Sequence, residues 1–322
     1  MKNNKEIISI IIPMRNASST IDKCLSSISD QTMKNCEVIL VDDSSDDDTV
    51  EKAKKYPAKI IELNNCVRPS KARNLGAKIA TGDILVFLDA DILLQPDSIE
   101  KIITSLRSSD ASIICGVYTE NIPEANYFTQ LQNFILVYRY SEALVHDNYS
   151  NSYFCALKKE VFEDVGGYNE KMYYYEDMEI GHRFEQKGYL SRLDTNLKVT
   201  HLKYYSHVSL LTDYFKKTAV AGAYKLNNFA NNFKADGLPL SFKLSGASTV
   251  FLLFSLAAIK ITPSLPLLFL VLYSVSIMPF MCFLVKKHNF FFGIKSYVVC
   301  FEIFMVSALA LIYGILAGNK ND

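Results

Sequence analysis

"LVFLDADILL", residues 85–94, begins as an apolar strand and ends in two aspartates one residue apart. Residues 85–88 form a short continuous apolar run, the pattern of a strand covered on both faces of a sheet. Side chains at i and i+2 of an extended backbone point the same way, so Asp89 and Asp91 can present two carboxylates to one side. They would do so at the carboxyl end of the strand, where ligands of open α/β sheets bind. Two close carboxylates repel unless a cation lies between them, and hard cations take oxygen ligands. The pair is therefore a candidate Mg²⁺ or Mn²⁺ site. The plainer alternative is a polar loop capping a helix that Pro96 starts.

Working outward, strand and helix patterns alternate through the first 110 residues. Residues 7–12 are an apolar run, and Ser18, Ser19 and Thr20 then offer caps for a helix with Ile21, Leu25 and Ile28 on one side. Residues 38–41 read as a second strand, followed by "DDSSDDDT" and a short helix, and 59–63 as a third. "KARNLGAKIA" has helical spacing and is expected to end at Gly82. Repeated βα units imply an α/β fold with a parallel, doubly wound sheet. Its strand ends would align Pro13 and Arg15, Asp42 and Asp43, and Asp89 and Asp91. Neither GxGxxG nor GxxxxGK[ST] is present, which argues against a dinucleotide dehydrogenase and a P-loop NTPase. Binding a diphosphate at so acidic an edge calls for a metal bridge plus cations, and "VRPSKARN" supplies Arg68, Lys71 and Arg73. Asp42 or Asp43 could accept hydrogen bonds from a nucleobase or a ribose. The acidic run 46–48 reads as a helix N-terminus favoured by the helix dipole.

The chain has 322 residues, with 34 Lys+Arg against 34 Asp+Glu, so no global field argues for a nucleic-acid partner. Its seven cysteines show no CxxC spacing and read as reduced thiols. Charge is concentrated before residue 243. Apolar stretches at about 243–261, 265–285 and 297–317 then approach the ~20 residues of a membrane-spanning helix, the first of them only marginally. Lys286, Lys287 and Lys295 between the last two stretches, against Lys260 in the first loop, favour a multi-pass protein of the cell membrane with its N-terminal domain cytoplasmic. Glu302, inside the third stretch, should have a partner or a function, and Lys295 lies too far along the helix to pair with it directly.

Five blocks carry a more specific signal: "SIIIPMRNASSTIDKCLSSISDQT", "EVILVDDSSDDDT", "SKARNLGAKIATGDILVFLDAD", "VGGYNE" and "YYYEDMEIGHRFEQKGY". In this order they resemble family 2 glycosyltransferases of the GT-A fold, a Rossmann-like, mostly parallel sheet. The resemblance covers roughly residues 7–205. It implies a nucleotide-sugar donor, with Pro13 and Arg15 near the base and Asp43, beside Asp42, on the nucleotide. It makes Asp89 and Asp91 a DxD pair, with Asp91 directly on the metal, and His201 the completion of the metal or diphosphate site. Glu176 and Asp177 are expected just before a helix that Gly188 stops. They are the candidate catalytic acids, and the resemblance assigns the base to Asp177 over the alternative of a simple N-cap. Two departures stand out. "NSYFCALKKEVF" lacks the family's paired arginines, and the absence of tryptophan removes the QxxRW element of processive synthases, which argues for one sugar per binding event.

The expectation is thus a glycosyltransferase domain over 1–235, ending in an amphipathic helical region about 206–235 that suits the surface of an anionic bilayer or ordinary packing. An all-α membrane region of about three spans occupies 236–322. The implied activity is inverting transfer of one sugar to a lipid-linked or membrane-held glycan acceptor. The alternatives are a polyprenyl-phosphate glycosyl synthase and, from another class, an inactive scaffold subunit of a membrane export complex.

Overall fold

The computed structural model describes residues 7–143, 150–172, 174–224, 238–257 and 259–317. They divide into two compact units, Met1–Ile122 with Ala143–Lys203 and Pro123–Glu142 with Tyr204–Asp322, where the sequence suggested one cut near 235.

The first unit opens as expected. β1 (Ile8–Met14), α1 (Ile21–Ser29), β2 (Cys36–Asp42), α2 (Thr49–Ala53), β3 (Lys59–Glu62), α3 (Arg68–Ile79) and β4 (Ile84–Leu88) alternate. β5 (Ile92–Leu93), α4 (Ser98–Ser108), β6 (Ile113–Tyr118), β7 (Phe154–Lys158), α6 (Lys159–Asp164), α7 (Glu176–Gln186) and β8 (Ser191–His201) follow, with α5 (Tyr127–Ala143) inserted between β6 and β7. The strand order is β3-β2-β1-β4-β7-β6-β8-β5. β3, β2, β1 and β4 run parallel, as do β6 and β8. The sheet is not parallel throughout, however: β7 enters antiparallel between β4 and β6, and β5 pairs antiparallel with β8. The βα rhythm breaks after β6 because α5 carries the chain into the other unit before β7 returns.

β4 is buried at every position, which matches the uninterrupted apolar run that marked it. α3 packs close against β1, since a Cβ on Gly76 would lie 2.5 Å from the Ile11 methyl. The helix stops at Ile79, earlier than expected, with Ala80 already extended. Gly82 serves another purpose: a Cβ there would lie 2.6 Å from both the Ile7 carbonyl and the Ser9 hydroxyl, so the turn into β4 needs glycine.

In the second unit α5 joins α8 (His207–Tyr224), α9 (Leu240–Ala257), α10 (Ser264–Lys287) and α11 (Phe290–Ala317). Leu131, Phe134 and Tyr138 of α5 share one core with Leu210, Phe242, Tyr273, Phe280 and Ile303. That shared apolar face is why residues 123–142 group with the C-terminal helices. α10 and α11, with mean hydropathy 2.4 and 2.3, are long and apolar enough to cross a membrane, whereas the first expected stretch forms a shorter apolar helix. Helix α8 lies along α11. His207 Nε2 stands 2.6 Å from Glu302 Oε2, and a Cβ on Gly314 would collide with the Ala219 backbone. His207 to Ala219 and Glu302 to Gly314 are the same twelve residues, so the two helices run parallel in step. Packing on α11 therefore accounts for much of the amphipathic pattern of α8; the rest of that region, 225–235, lies outside the described residues. Glu302 has its partner in His207, a residue given no role by the sequence, while Lys295 sits 3.9 Å over the Tyr127 ring.

Glu37 ties the first unit together at the edge opposite the acidic strand ends. It accepts from the Ser9 hydroxyl (2.5 Å), the Thr81 amide (2.5 Å) and hydroxyl (2.8 Å), and Lys59 Nζ (2.8 Å). Burial pushes its carboxyl up, but these donors outweigh it and bring the pKa from 4.5 to about 2. The folded state thus favours the carboxylate. The stabilisation is complete above about 4.5 and is lost as pH falls through about 2. Glu37→Gln should cost about 2 kcal/mol at neutral pH, after allowance for solvent screening. The difference in melting temperature from wild type should narrow as pH is lowered from 4.5 towards 2. A difference independent of pH would remove the charge from this account.

Candidate functional site

The carboxyl ends of β1, β2 and β4 meet at one edge of the sheet. Pro13 is still within β1, paired with Val41, and Arg15 lies just beyond it, exposed, its guanidinium on the Cys66 sulfur. Asp42 and Asp43 are both buried. Asp42 accepts from the Ser45 hydroxyl (2.5 Å) and amide (3.0 Å). Asp43 accepts from the amides of Val67 (2.5 Å) and Arg68 (2.9 Å) and from the Cys66 thiol (3.4 Å). Asp43 therefore latches the loop that opens α3, in which Arg68 takes a left-handed φ of 77°.

The three cations of "VRPSKARN" part company on α3. Arg68 is exposed and reaches the Lys171 carbonyl, Lys71 is half-buried, and Arg73 is 3% exposed on the helix's inner face. Arg73 Nη2 lies 2.7 Å from Asp89 Oδ1 and its Nη1 3.0 Å from Glu176 Oε1. Its Cζ is 5.4 Å from the centre of the Tyr168 ring. Burial alone would lower the guanidinium's pKa, but the two carboxylates reverse that and hold it protonated.

β4 ends at Leu88, so a turn rather than strand alternation sets the aspartate pair, with the Ile92 amide on the Asp89 carbonyl (3.2 Å). The two side chains take different partners. Asp89 goes to Arg73, and Asp91 Oδ2 stands 3.3 Å from His201 Nε2. Pairing of Ile92 with His201, and the Leu202 amide on the Asp91 carbonyl (2.7 Å), bring that histidine to the turn. Its ring stacks on Tyr118 (4.9 Å), which stacks on Tyr153 (4.2 Å), whose hydroxyl donates to the Gly116 carbonyl. Burial, only partly offset by Arg73, pushes the Asp89 carboxyl up. The same burial acts on Asp91, but the hydrogen bond and charge of His201, with Lys203, hold it below the ordinary range.

Among the described residues no three His, Cys, Asp or Glu side chains gather as a metal cluster. The Asp91–His201 pair nevertheless suits a cation: adjacent ligands of an octahedral ion at about 2.1 Å stand about 3 Å apart. A small divalent ion commonly takes only one or two protein carboxylates and fills its remaining positions with water and substrate phosphate. Asp89, turned to Arg73, is the poorer direct ligand.

Glu176 and Asp177 are the first two residues of α7 and do not precede it, because Tyr175 at φ 65° caps the helix. Asp177 Oδ1 accepts from the Met178 amide (2.8 Å). The "VGGYNE" loop is pinned to α3 by Asn74, which accepts from the Tyr168 amide (2.9 Å) and donates to its carbonyl (2.8 Å). Gly167, at φ 70°, lets the loop approach Asn74. Asn74, Cys66, Tyr118 and Tyr153 carry no site signal of their own in the sequence. Asn74 lies within the stretch "SKARNLGAKIATGDILVFLDAD", whereas nothing in the local pattern marks the two tyrosines.

Residues 9–166 match the family model described as Glycosyl transferase family 2. An uncharacterized glycosyltransferase of Haemophilus influenzae is 26% identical over 70% of this chain and 81% of its own. A dolichol-phosphate mannosyltransferase of Pyrococcus furiosus is 34% identical over 49% of this chain and 48% of its own. The Escherichia coli UDP-Glc:alpha-D-GlcNAc-diphosphoundecaprenol beta-1,3-glucosyltransferase WfaP is 35% identical over 39% and 56%. This chain thus spans about half the length of the last two relatives. Among solved structures, the mannosyltransferase PcManGT of Pyrobaculum calidifontis, in complex with GDP-Man and Mn²⁺, superposes with a TM-score of 0.57 at 14% identity, over 99% of this chain and 89% of that one. That likeness is one of fold, and the first unit is a GT-A domain.

Asp43→Asn keeps the size of the latch but loses its charge and one acceptor oxygen. Amide exchange across residues 64–68 should rise roughly tenfold, the ~1.4 kcal/mol expected for weakening charge-assisted bonds. Unchanged exchange there would mean that the loop holds itself.

Proposed function

Because residues 9–166 form a glycosyltransferase family 2 domain, we propose that this glycosyltransferase is an inverting, metal-dependent enzyme that moves one sugar from a nucleoside diphosphate donor to a lipid-linked acceptor. The supporting observation is the Arg73 bridge, which sets the start of α7 beside the Asp89–Asp91 turn. In this reading Pro13, Arg15, Asp42 and Asp43 frame the nucleotide. Arg68 and Lys71, at the outer end of α3, meet the diphosphate, and Asp89 lies beside the donor sugar. Asp91 and His201 hold Mg²⁺ or Mn²⁺, which when bound neutralises charge on the leaving diphosphate.

Transfer is a single displacement. The acceptor oxygen bonds to the anomeric carbon from the face opposite the diphosphate, the bond to the diphosphate oxygen breaks with its electron pair, and the acceptor proton passes to the Asp177 carboxylate. Glu176 pairs its charge with Arg73, which leaves Asp177 as the carboxylate that accepts the proton.

The names of the two polyprenol-related relatives support an acceptor on a lipid carrier. α10 and α11 support membrane association, with Lys286, Lys287 and Lys295 favouring a cytoplasmic catalytic unit in a multi-pass protein. The likeness to the dolichol-phosphate enzyme favours a second reading, transfer directly onto a polyprenyl phosphate, which is already an anion and needs little help from a base. An inactive scaffold would have no need of so complete a set of partnered acids. Hydrolysis of donor without acceptor separates that case.

Asp177→Asn should lower turnover ~10²-fold or more while titration calorimetry shows donor binding nearly intact. Unchanged turnover would favour the phosphate acceptor. Asp91→Asn should abolish the dependence on divalent metal together with activity, because the amide keeps the size and loses the charge. Normal turnover of this variant with chelator present would refute the metal assignment.

A further inference from the structure

The placement of Arg73 does not suit a residue that grips the donor. Its side chain is 3% exposed, its fork is committed to two carboxylates, and its Nε proton is buried with no hydrogen-bond partner among the described residues. A buried guanidinium with an orphaned donor is costly, and removing one member of such a group is costlier still. We propose that Arg73 is a positioning residue: it fixes the first turn of α7, and with it Asp177, against the Asp89 turn. The proposal rests on the reading of this site as a glycosyltransferase centre.

Three further observations support it. Arg73 stands one turn from Gly76, where helix and strand approach too closely for a side chain. Its neighbour Asn74 clamps Tyr168 through both backbone groups, and the Tyr168 ring lies beside the guanidinium. Adjacent residues of one helix therefore hold the loop leading to α7 and the first residue of α7. Between these anchors Tyr175 takes a left-handed φ of 65°, a conformation that costs a residue with a Cβ and that relaxes unless its surroundings impose it. The Arg73–Glu176 bond holds the residue that follows Tyr175. Arginine is required because two carboxylates from separate segments must be met in one plane, which the single ammonium of lysine cannot do.

The test compares Arg73→Lys, Arg73→Met, Glu176→Ala and the Arg73→Met/Glu176→Ala double variant in the full-length protein. Each single change should lower kcat at least tenfold, leave the donor KM within about threefold, and raise amide exchange across residues 174–178. The double variant should lose no more than the worse single one, because both cut the same tether. Binding of the nucleoside diphosphate with Mg²⁺, measured by calorimetry, should be nearly unchanged in Arg73→Lys, the variant that keeps the charge. A tenfold loss of that binding with kcat preserved would make Arg73 a ligand and overturn the proposal, as would multiplicative losses in the double variant. If the wild type transferred no sugar, the glycosyltransferase reading would fail by itself, and the exchange measurement alone would decide the tether: unchanged exchange at 174–178 in Arg73→Lys would sink it.

Discussion

Carboxylates gathered at one edge of a sheet repel one another, and this edge carries Asp42, Asp43, Asp89 and Asp91 with Glu176 close by. Each is held by donors from the protein: a hydroxyl and amide for Asp42, two backbone amides for Asp43, one shared guanidinium for Asp89 and Glu176, an imidazole for Asp91. The compensation is local, and it comes from elements distant in sequence. β2 is tied to the α3 entry, β4 to α3, and the β4–β5 turn to the end of β8. The positions of these elements at the site follow from the need to neutralise that edge.

Compensation is also selective. Asp89 is neutralised by a fixed protein cation that cannot leave, whereas Asp91 is paired with a histidine whose ring is oriented by stacking on Tyr118. A fixed cation suits a carboxylate that stays in place, and an imidazole suits one that, in the proposed reading, shares an incoming ion. The two aspartates one residue apart are thus chemically unlike, a difference that strand alternation could not have revealed.

Much of this was legible in the sequence because the signals were local. The apolar run before Asp89 and the acids after Val41 each act within a few residues, and β1 to β4 stand where those patterns put them, although Thr20 at the start of α1 makes no side-chain capping bond. What escaped was set by distant contacts. The inward turn of Arg73 depends on Asp89 and Glu176, 16 and 103 residues away. The antiparallel entry of β7 depends on where α5 returns the chain. Glu302 finds His207 only because α8 lies in step with α11. The hydrophobicity of 265–285 and 297–317 announced long helices, but no periodicity in α5 announced that it would share their core.

That sharing has a consequence in time. The apolar face of α5, with Leu131, Phe134 and Tyr138, is completed by Phe242, Tyr273, Phe280 and Ile303, residues synthesised much later. At ~5–20 residues per second, the ribosome needs roughly 10–30 s to pass from one to the other. During that interval the face has only α8, through Leu210, as intramolecular cover. The core of the second unit therefore closes only once its last helices have been made.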